Sequence, residues 1–280
     1  MDQTKFFNDD LKNFFTDQTF ELAKNLEGDV FRQYENRITK RFSLEQRCYF
    51  IKTHGPVGWK EIIKNLIQLR TPVIGAKREY DALNHLSKND VKCPKIMGLG
   101  FRGHNPANSS SFLITEELQN TISLEDFFLK RMHEELPFKD KKELILKVAD
   151  LIRRMHATGL NHRDLYLCHI HVNKYLDINN IDLSLIDLHR AQIRSKVPHR
   201  WLVKDLGGFI HSVLQFNLTE RDFYRFFMAY FECSLDVLLY KHQKLLQAIL
   251  DRAFEMYLKP QVKSISLNDR NKVLSEFGFS

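Results

Sequence analysis

Near residue 120 the hydrophobic pattern of this chain changes period, and that change limits the folds open to it. Upstream, short alternating runs at 30–34, 38–42 and 49–52 read as strands, with Glu35-Asn36-Arg37 as the turn joining the first two. A helix at 58–70 puts Ile62, Ile63, Leu66 and Ile67 on one face; another follows Gly75 at 77–86, and a strand at 111–115 closes this half. Downstream, helices take over. Ser123-Leu124-Glu125-Asp126 is a helix-start signal ahead of Phe127 and Phe128. The stretch 142–157 carries Leu144, Ile145, Val148, Leu151, Ile152 and Met155 at helical spacing, with Gly159 placed to end it. Short strands are expected at 169–173 and 182–187, and mostly helix from Lys204 onward. The pattern predicts an α+β chain: a small β-rich lobe over 1–118, a larger helical lobe over 119–280, and a ligand-binding cleft between them.

Composition narrows the class. The chain has 280 residues, 43% of them apolar, enough to build a core. Lys and Arg total 42 against 35 acidic residues, a net charge of +7, which favours an anionic partner without choosing one. The four cysteines, Cys48, Cys93, Cys168 and Cys233, form no C-x-x-C pair, against a zinc site or a disulfide framework. The N-terminus lacks the order of a secretory signal. The apolar zone 223–239 is interrupted by Arg225, Glu232 and Asp236, so it reads as one buried helix and not a membrane span. A reducing, cytoplasmic setting is expected. No motif supports nucleic-acid binding.

The residues that carry chemistry form an ordered set. Tyr49-Phe50-Ile51-Lys52 ends an apolar strand on a lysine, a compact cation suited to phosphate oxygens. Glu79, on the next helix but one, is the natural ion-pair partner for it. Asn161-His162-Arg163-Asp164 follows the Gly159 stop, placing a carboxylate in a loop where it could orient or deprotonate a hydroxyl. Asp187, at the end of the strand expected at 182–187, could hold a divalent cation. Alone, each charge is most simply a solvated side chain or a turn cap. Lysine, glutamate, His-Arg-Asp and aspartate in this order on strand, helix, loop and strand form the minimum machinery of phosphoryl transfer.

Around these residues the wording resembles the lipopolysaccharide core heptose(I) kinases of Gram-negative bacteria, which have a protein-kinase-like two-lobe fold. The resemblance runs from about residue 28 to about 232. It is carried by His54-Gly55-Pro56-Val57-Gly58-Trp59-Lys60-Glu61, Thr71-Pro72-Val73-Ile74-Gly75-Ala76, Arg154-Met155-His156-Ala157, Asn161-His162-Arg163-Asp164-Leu165-Tyr166-Leu167-Cys168-His169 and Ile186-Asp187-Leu188-His189-Arg190-Ala191-Gln192. It implies transfer of the γ-phosphate of ATP to the first heptose of the inner core. Asp164 would be the catalytic group, Lys52 would hold ATP phosphates, Glu79 would pair with Lys52, and Asp187 would bind Mg²⁺. Asp205 would tie down the catalytic loop, and the hinge from Glu116 to Leu118 would meet adenine.

Three departures from the general kinase pattern stand out. His169 occupies the place of an asparagine magnesium ligand, which makes it a weak metal candidate because magnesium prefers oxygen. No glycine-rich loop lies between residues 25 and 45, so a hairpin over 31–41 with Arg32, Arg37, Lys40 and Arg41 would cover the phosphates. The segment 188–204 is short and basic, which suits a small or glycolipid acceptor better than a protein. The alternatives are a kinase of a protein or another small hydroxyl compound, or a catalytically weak nucleotide-binding scaffold. The expected partners are the lipid-linked core acceptor, the cytoplasmic face of the inner membrane as a peripheral contact, and an acidic acyl carrier protein. Trp59 and Trp201 are expected in the core more than stacked on sugar.

Overall fold

The period change corresponds to two units of structure. In a computed structural model, residues 3–7, 9–15, 19–34, 36–67, 75–131, 136–175, 177, 180–216 and 218–258 are described. One unit comprises Met1–Gln119 with Asp187–Ala191, the other Asn120–Ile186 with Gln192–Ser280.

The first unit is built on an antiparallel six-stranded sheet. Its elements are β1 (Gln3–Phe6), α1 (Asp9–Phe14), α2 (Thr19–Asn25), β2 (Asp29–Tyr34), β3 (Arg37–Leu44), β4 (Arg47–His54), α3 (Trp59–Ile67), α4 (Lys77–Lys88), β5 (Ile96–Arg102) and β6 (Ser110–Glu116). The strand order is β1-β5-β6-β4-β3-β2. Alternation along β4 sends Tyr49 and Ile51 into a core with Leu11, Phe15, Phe20, Phe42, Met97, Phe112 and Ile114. Lys52 and His54 therefore share the opposite face. The strands expected at 30–34, 38–42, 49–52 and 111–115 all form, extended by at most two residues at either end. Sequence reasoning missed β1, α1, α2 and β5. In β5 the regular alternation is broken by Gly98 and Gly100, where the rings of Phe6 and Phe112 fill the space a Cβ would take. The helix expected at 58–70 is described over Trp59–Ile67; residues 68–70 lie outside the described residues, as do Glu35 of the expected turn and 71–74.

The second unit contains β7 (Thr121–Ser123), α5 (Leu124–Leu129), α6 (Phe138–Ala157), β8 (Leu160–Asn161), a 3₁₀ turn (Leu167–His169), β9 (Ile170–Asn173), β10 (Leu183–Leu185), β11 (Gln192–Ile193), α7 (His199–Val213), α8 (Glu220–Phe231), α9 (Leu235–Lys241) and α10 (Gln243–Leu258). β10-β9-β7 form one small sheet and β11-β8 another. The Ser123 hydroxyl caps α5 by accepting from the Asp126 N–H at 3.0 Å. Helix α6 buries Leu144, Val148, Leu151, Ile152 and Met155, one apolar stripe. Helix α8 packs on α6, and α10 on α7.

Three expectations are corrected here. The zone 223–239 is two helices, because Glu232 ends α8 in the left-handed region at φ 51° and α9 starts after Ser234. The expected strand at 182–187 stops at Leu185, and Asp187 lies beyond it with φ 60°. His169 closes the 3₁₀ turn instead of opening β9. Among the described residues, no helix is long and apolar enough to cross a membrane.

Candidate active site

Within the first unit, Lys52 is the centre of a charged cluster. Its Nζ donates to Glu79 Oε1 at 2.6 Å and to Asp187 Oδ1 at 2.8 Å. Glu79 heads the stripe Glu79, Ala82, Leu83 and Leu86 by which α4 packs inward, which explains how a carboxylate comes to be 4% exposed. Its Oε2 is buried with no hydrogen-bond partner among the described residues, so Lys52 is its main compensation. Asp187 also accepts from His189 Nδ1 at 3.0 Å, and Arg32 stands 3.9 Å from its other oxygen.

Burial opposes charge on both central groups and loses in each case. It would lower the Lys52 pKa, but Glu79 and Asp187 outweigh it and hold the ammonium well above the usual lysine range. It would raise the Asp187 pKa, but Lys52 and then His189 hold that carboxyl well below the usual carboxylate range. The result is a half-buried lysine–carboxylate pair in which each partner favours the charged form of the other.

The sheet register extends this cluster into a cationic surface. Arg32 pairs with Thr39 and Thr39 with Lys52, while Tyr34 pairs with Arg37 and Arg37 with His54. Two cross-strand rows, Arg32-Thr39-Lys52 and Tyr34-Arg37-His54, therefore lie side by side on one face. All six line one pocket with Glu79, Asp187 and His189. His54 is buried, and its Nδ1 has no hydrogen-bond partner among the described residues. Burial first, then Arg37, Lys52 and His189, pushes its pKa down to about 3, so it is neutral. Of the four cations expected in the hairpin, Arg32 and Arg37 reach this pocket. Lys40 donates to the Leu26 carbonyl instead, and Arg41 forms a two-pronged pair with Glu117 at 2.8 and 2.9 Å. The strand period puts Lys40 out of phase with Thr39, which no count of basic residues could show. In the expected hinge, Glu116 ends β6 with its N–H on the Lys95 carbonyl, and the Glu117 N–H is bonded to the Cys48 carbonyl; Leu118 follows.

In the second unit, Asp164 belongs to a loop fastened from several sides. Gly159 ends α6 at φ 82°, and a Cβ there would collide with the Arg194 carbonyl. Strand β8 then pairs with β11, and Arg194 donates to the Asn161 side chain at 2.7 Å. Asp205, on α7 and fully buried, accepts the backbone N–H of His162 at 2.6 Å and of Arg163 at 2.8 Å. His156 Nε2 lies 3.3 Å from the same carboxylate and its Nδ1 is 2.8 Å from the Tyr230 hydroxyl. Burial, reinforced by Asp205, raises the Tyr230 pKa, so the phenol keeps its proton. His162 Nε2 bonds the Ile186 carbonyl at 3.0 Å, the residue just before Asp187.

His169 meets Asp164 directly: its Nδ1 donates to the Asp164 carbonyl at 2.7 Å, and its ring stacks on His162. Among the described residues, no group of three or more His, Cys, Asp or Glu side chains could hold a metal ion. Asp187 alone still fits magnesium in its usual setting, where one or two ionised carboxylates supplement water and phosphate oxygens. The structure brings Lys52, Glu79 and Asp187 together, and separately Asp164, His169 and Asp205. Sequence reasoning did not pick out His54 or His156, although His54 was legible as the same-face neighbour of Lys52 two positions on. Trp201 is buried, with Arg163, Arg200 and Lys204 at 4.7–5.0 Å from its ring, whereas Trp59 is 55% exposed and lies outside any core.

Comparison with known proteins identifies the family. The family described as "Lipopolysaccharide kinase (Kdo/WaaP) family" matches residues 21–230. A lipopolysaccharide core heptose(I) kinase WaaP of Escherichia coli K12 is 43% identical over 88% of this chain and 94% of its own length. The protein of the same name from Pseudomonas aeruginosa is 39% identical over 86% of this chain and 91% of its own. A solved structure titled "WaaP in complex with acyl carrier protein" superposes with a TM-score of 0.78 at 33% identity, covering 91% of this chain and 99% of that one. With a kinase-like α+β fold and a match over most of its length, the chain belongs to the lipopolysaccharide kinase (Kdo/WaaP) family.

Proposed function

We propose that this chain transfers the γ-phosphate of ATP to a hydroxyl of the first heptose of the lipopolysaccharide inner core. The observation that carries this reading is the cluster of Lys52, Glu79 and Asp187, an ionised lysine held between two carboxylates on a face lined with further cations. Lys52, with Arg32 and Arg37 beside it, would hold the phosphates; Glu79 would keep Lys52 in place. Magnesium, when bound, would neutralise phosphate charge, and Asp187 is the carboxylate that would hold it. The Glu116–Leu118 backbone would receive adenine.

Asp164 would orient the sugar hydroxyl and take its proton as the oxygen bonds to the γ-phosphorus and ADP leaves. Asp205 and His169 would act through backbone groups: one holds the N–H groups of the loop, the other the carbonyl of Asp164 itself. That bond, together with magnesium's preference for oxygen, favours a positioning role for His169 over metal ligation. The lipid-linked core would be the acceptor, the setting the cytoplasm at the inner membrane's inner face, and an acidic acyl carrier protein a partner suited to a chain of +7.

The test is transfer of labelled γ-phosphate from ATP-Mg²⁺ to dephosphorylated lipopolysaccharide core, wild type beside Asp164→Ala. Label should appear on the core sugar and fall by about 10²–10⁴-fold in the variant, the range for loss of a general base. Undiminished transfer by Asp164→Ala would remove that residue from the mechanism, and label appearing only on protein would overturn the acceptor.

A further inference from the structure

Helix α3 presents an apolar face outward. Of its residues, Ile62 is buried at 5% exposure, whereas Trp59, Ile63, Leu66 and Ile67 are 55%, 51%, 57% and 77% exposed. At helical spacing these four lie side by side in an arc of about 100°, with Ile62 on one flank and Lys60 and Lys64 next along the other. Single exposed apolar residues are ordinary on a protein surface; four large ones adjoining on a nine-residue helix are not. The ordering is also specific. One edge of the arc is anchored in the protein through Ile62, and the outer edge carries two lysines whose long stems can lie along apolar surface while their ammonium groups reach past it.

We propose that α3 docks this chain on a lipid surface bearing anionic headgroups, with Trp59, Ile63, Leu66 and Ile67 entering the boundary between headgroups and acyl chains and Lys60 and Lys64 meeting the negative charge. An apolar arc bordered by lysines, with an aromatic at one end, is the pattern of a helix lying in a membrane interface. An acidic protein would be met better by a denser cluster of cations than by four bare hydrocarbon side chains bordered by two lysines. The inference rests in part on the proposed acceptor, a sugar carried on a lipid, because docking would bring the kinase to the layer that holds it. Residues 68–74, which follow α3, lie outside the described residues.

The experiment has two arms on the full chain, with wild type, Ile63→Asp/Leu66→Asp and Lys60→Glu/Lys64→Glu. In the first, each protein is sedimented with vesicles of phosphatidylethanolamine and phosphatidylglycerol, or of phosphatidylcholine alone. Wild type should pellet with the anionic vesicles, and brominated lipid should quench Trp59, since Trp201, the other tryptophan, is buried. The aspartate pair should lower partitioning at least tenfold; the glutamate pair should abolish the preference for anionic lipid. In the second arm, phosphorylation is measured on water-soluble core oligosaccharide freed of its lipid and on lipopolysaccharide embedded in the same vesicles. The aspartate pair should keep the first activity and lose about tenfold of the second. Equal pelleting of all three proteins, or no pelleting of wild type, would overturn the docking surface. So would loss of binding to acyl carrier protein without loss of vesicle binding. If wild type phosphorylates neither acceptor while the vesicle arm behaves as expected, the proposed function fails and the docking surface stands.

Discussion

Arg163 and Asp187 both have left-handed backbones, with φ of 74° and 60°. Neither is glycine, so each costs on the order of 1 kcal/mol that neighbouring groups must offset. Arg163 is held by its N–H on Asp205, and Asp187 by Lys52 and His189 on its side chain. Such positions gather at working sites because they aim side chains that regular structure would direct elsewhere. His54 shows a different residue-scale cost. With its pKa pushed from 6.5 to about 3, it stays neutral in the fold while the unfolded chain takes up a proton as pH drops below about 6.5. Its contribution is therefore complete above that pH and is lost at about 1.4 kcal/mol per unit as pH falls toward 3. Urea unfolding between pH 7.5 and 4.5 should show a shallower acid limb for His54→Gln than for wild type. Parallel limbs would mean that His54 takes its proton within the fold.

At the scale of elements, the site depends on how helices and strands end. Helix α6 must stop at Gly159 so that β8 can pair with β11 and the loop can run to Asp164. Gly159 meets two demands at once, a positive φ and close approach of the Arg194 carbonyl. Gly159→Ala should cost more than the ~1 kcal/mol of an ordinary glycine-to-alanine strain, because the clash is with backbone that cannot move aside. Chemical denaturation measures that cost, and a change below about 0.5 kcal/mol, the scale of an ordinary surface substitution, would show that the loop relaxes freely. This end was legible in the sequence, since a glycine closes a long apolar period there. The end of the strand before Asp187 was not. Leu185 is followed by a second strand-forming residue, Ile186, yet the strand stops at Leu185 and the backbone turns left-handed at Asp187.

Over the whole molecule, nucleotide binding should read as stability. Lys52, Glu79 and Asp187 all belong to the unit of Met1–Gln119 and Asp187–Ala191, so a ligand they hold stabilises that unit's folded state. ATP-Mg²⁺ at a hundredfold excess over its dissociation constant adds about 2.7 kcal/mol by mass action. Thermal unfolding should shift upward accordingly in wild type and in Asp164→Ala. Lys52→Met should lose most of the shift, and an equal shift in that variant would place the phosphates elsewhere.

What the sequence determined by itself was what depends on local order: the change of period near 120, the helix that becomes α4, the apolar face of α6, the Ser123 cap, the Gly159 stop, and the order of Lys52, Glu79, Asp164 and Asp187. These follow from spacing along the chain, which backbone geometry converts directly into faces and ends. Only tertiary structure decided which charges met. Arg32 and Arg37 joined Lys52 while Lys40, one position out of phase, turned to the Leu26 carbonyl, because strand register selects one face and rejects its neighbours. Arg41 shares the face of Arg37 but lies further along the strand and pairs with Glu117. It also decided that His54 would be buried and neutral, that His169 would hold the Asp164 carbonyl, and that the face of α3 would split, with Ile62 packed inward and Trp59, Ile63, Leu66 and Ile67 left outside. A helical period marks a side as apolar; what that side meets depends on the elements packed against it.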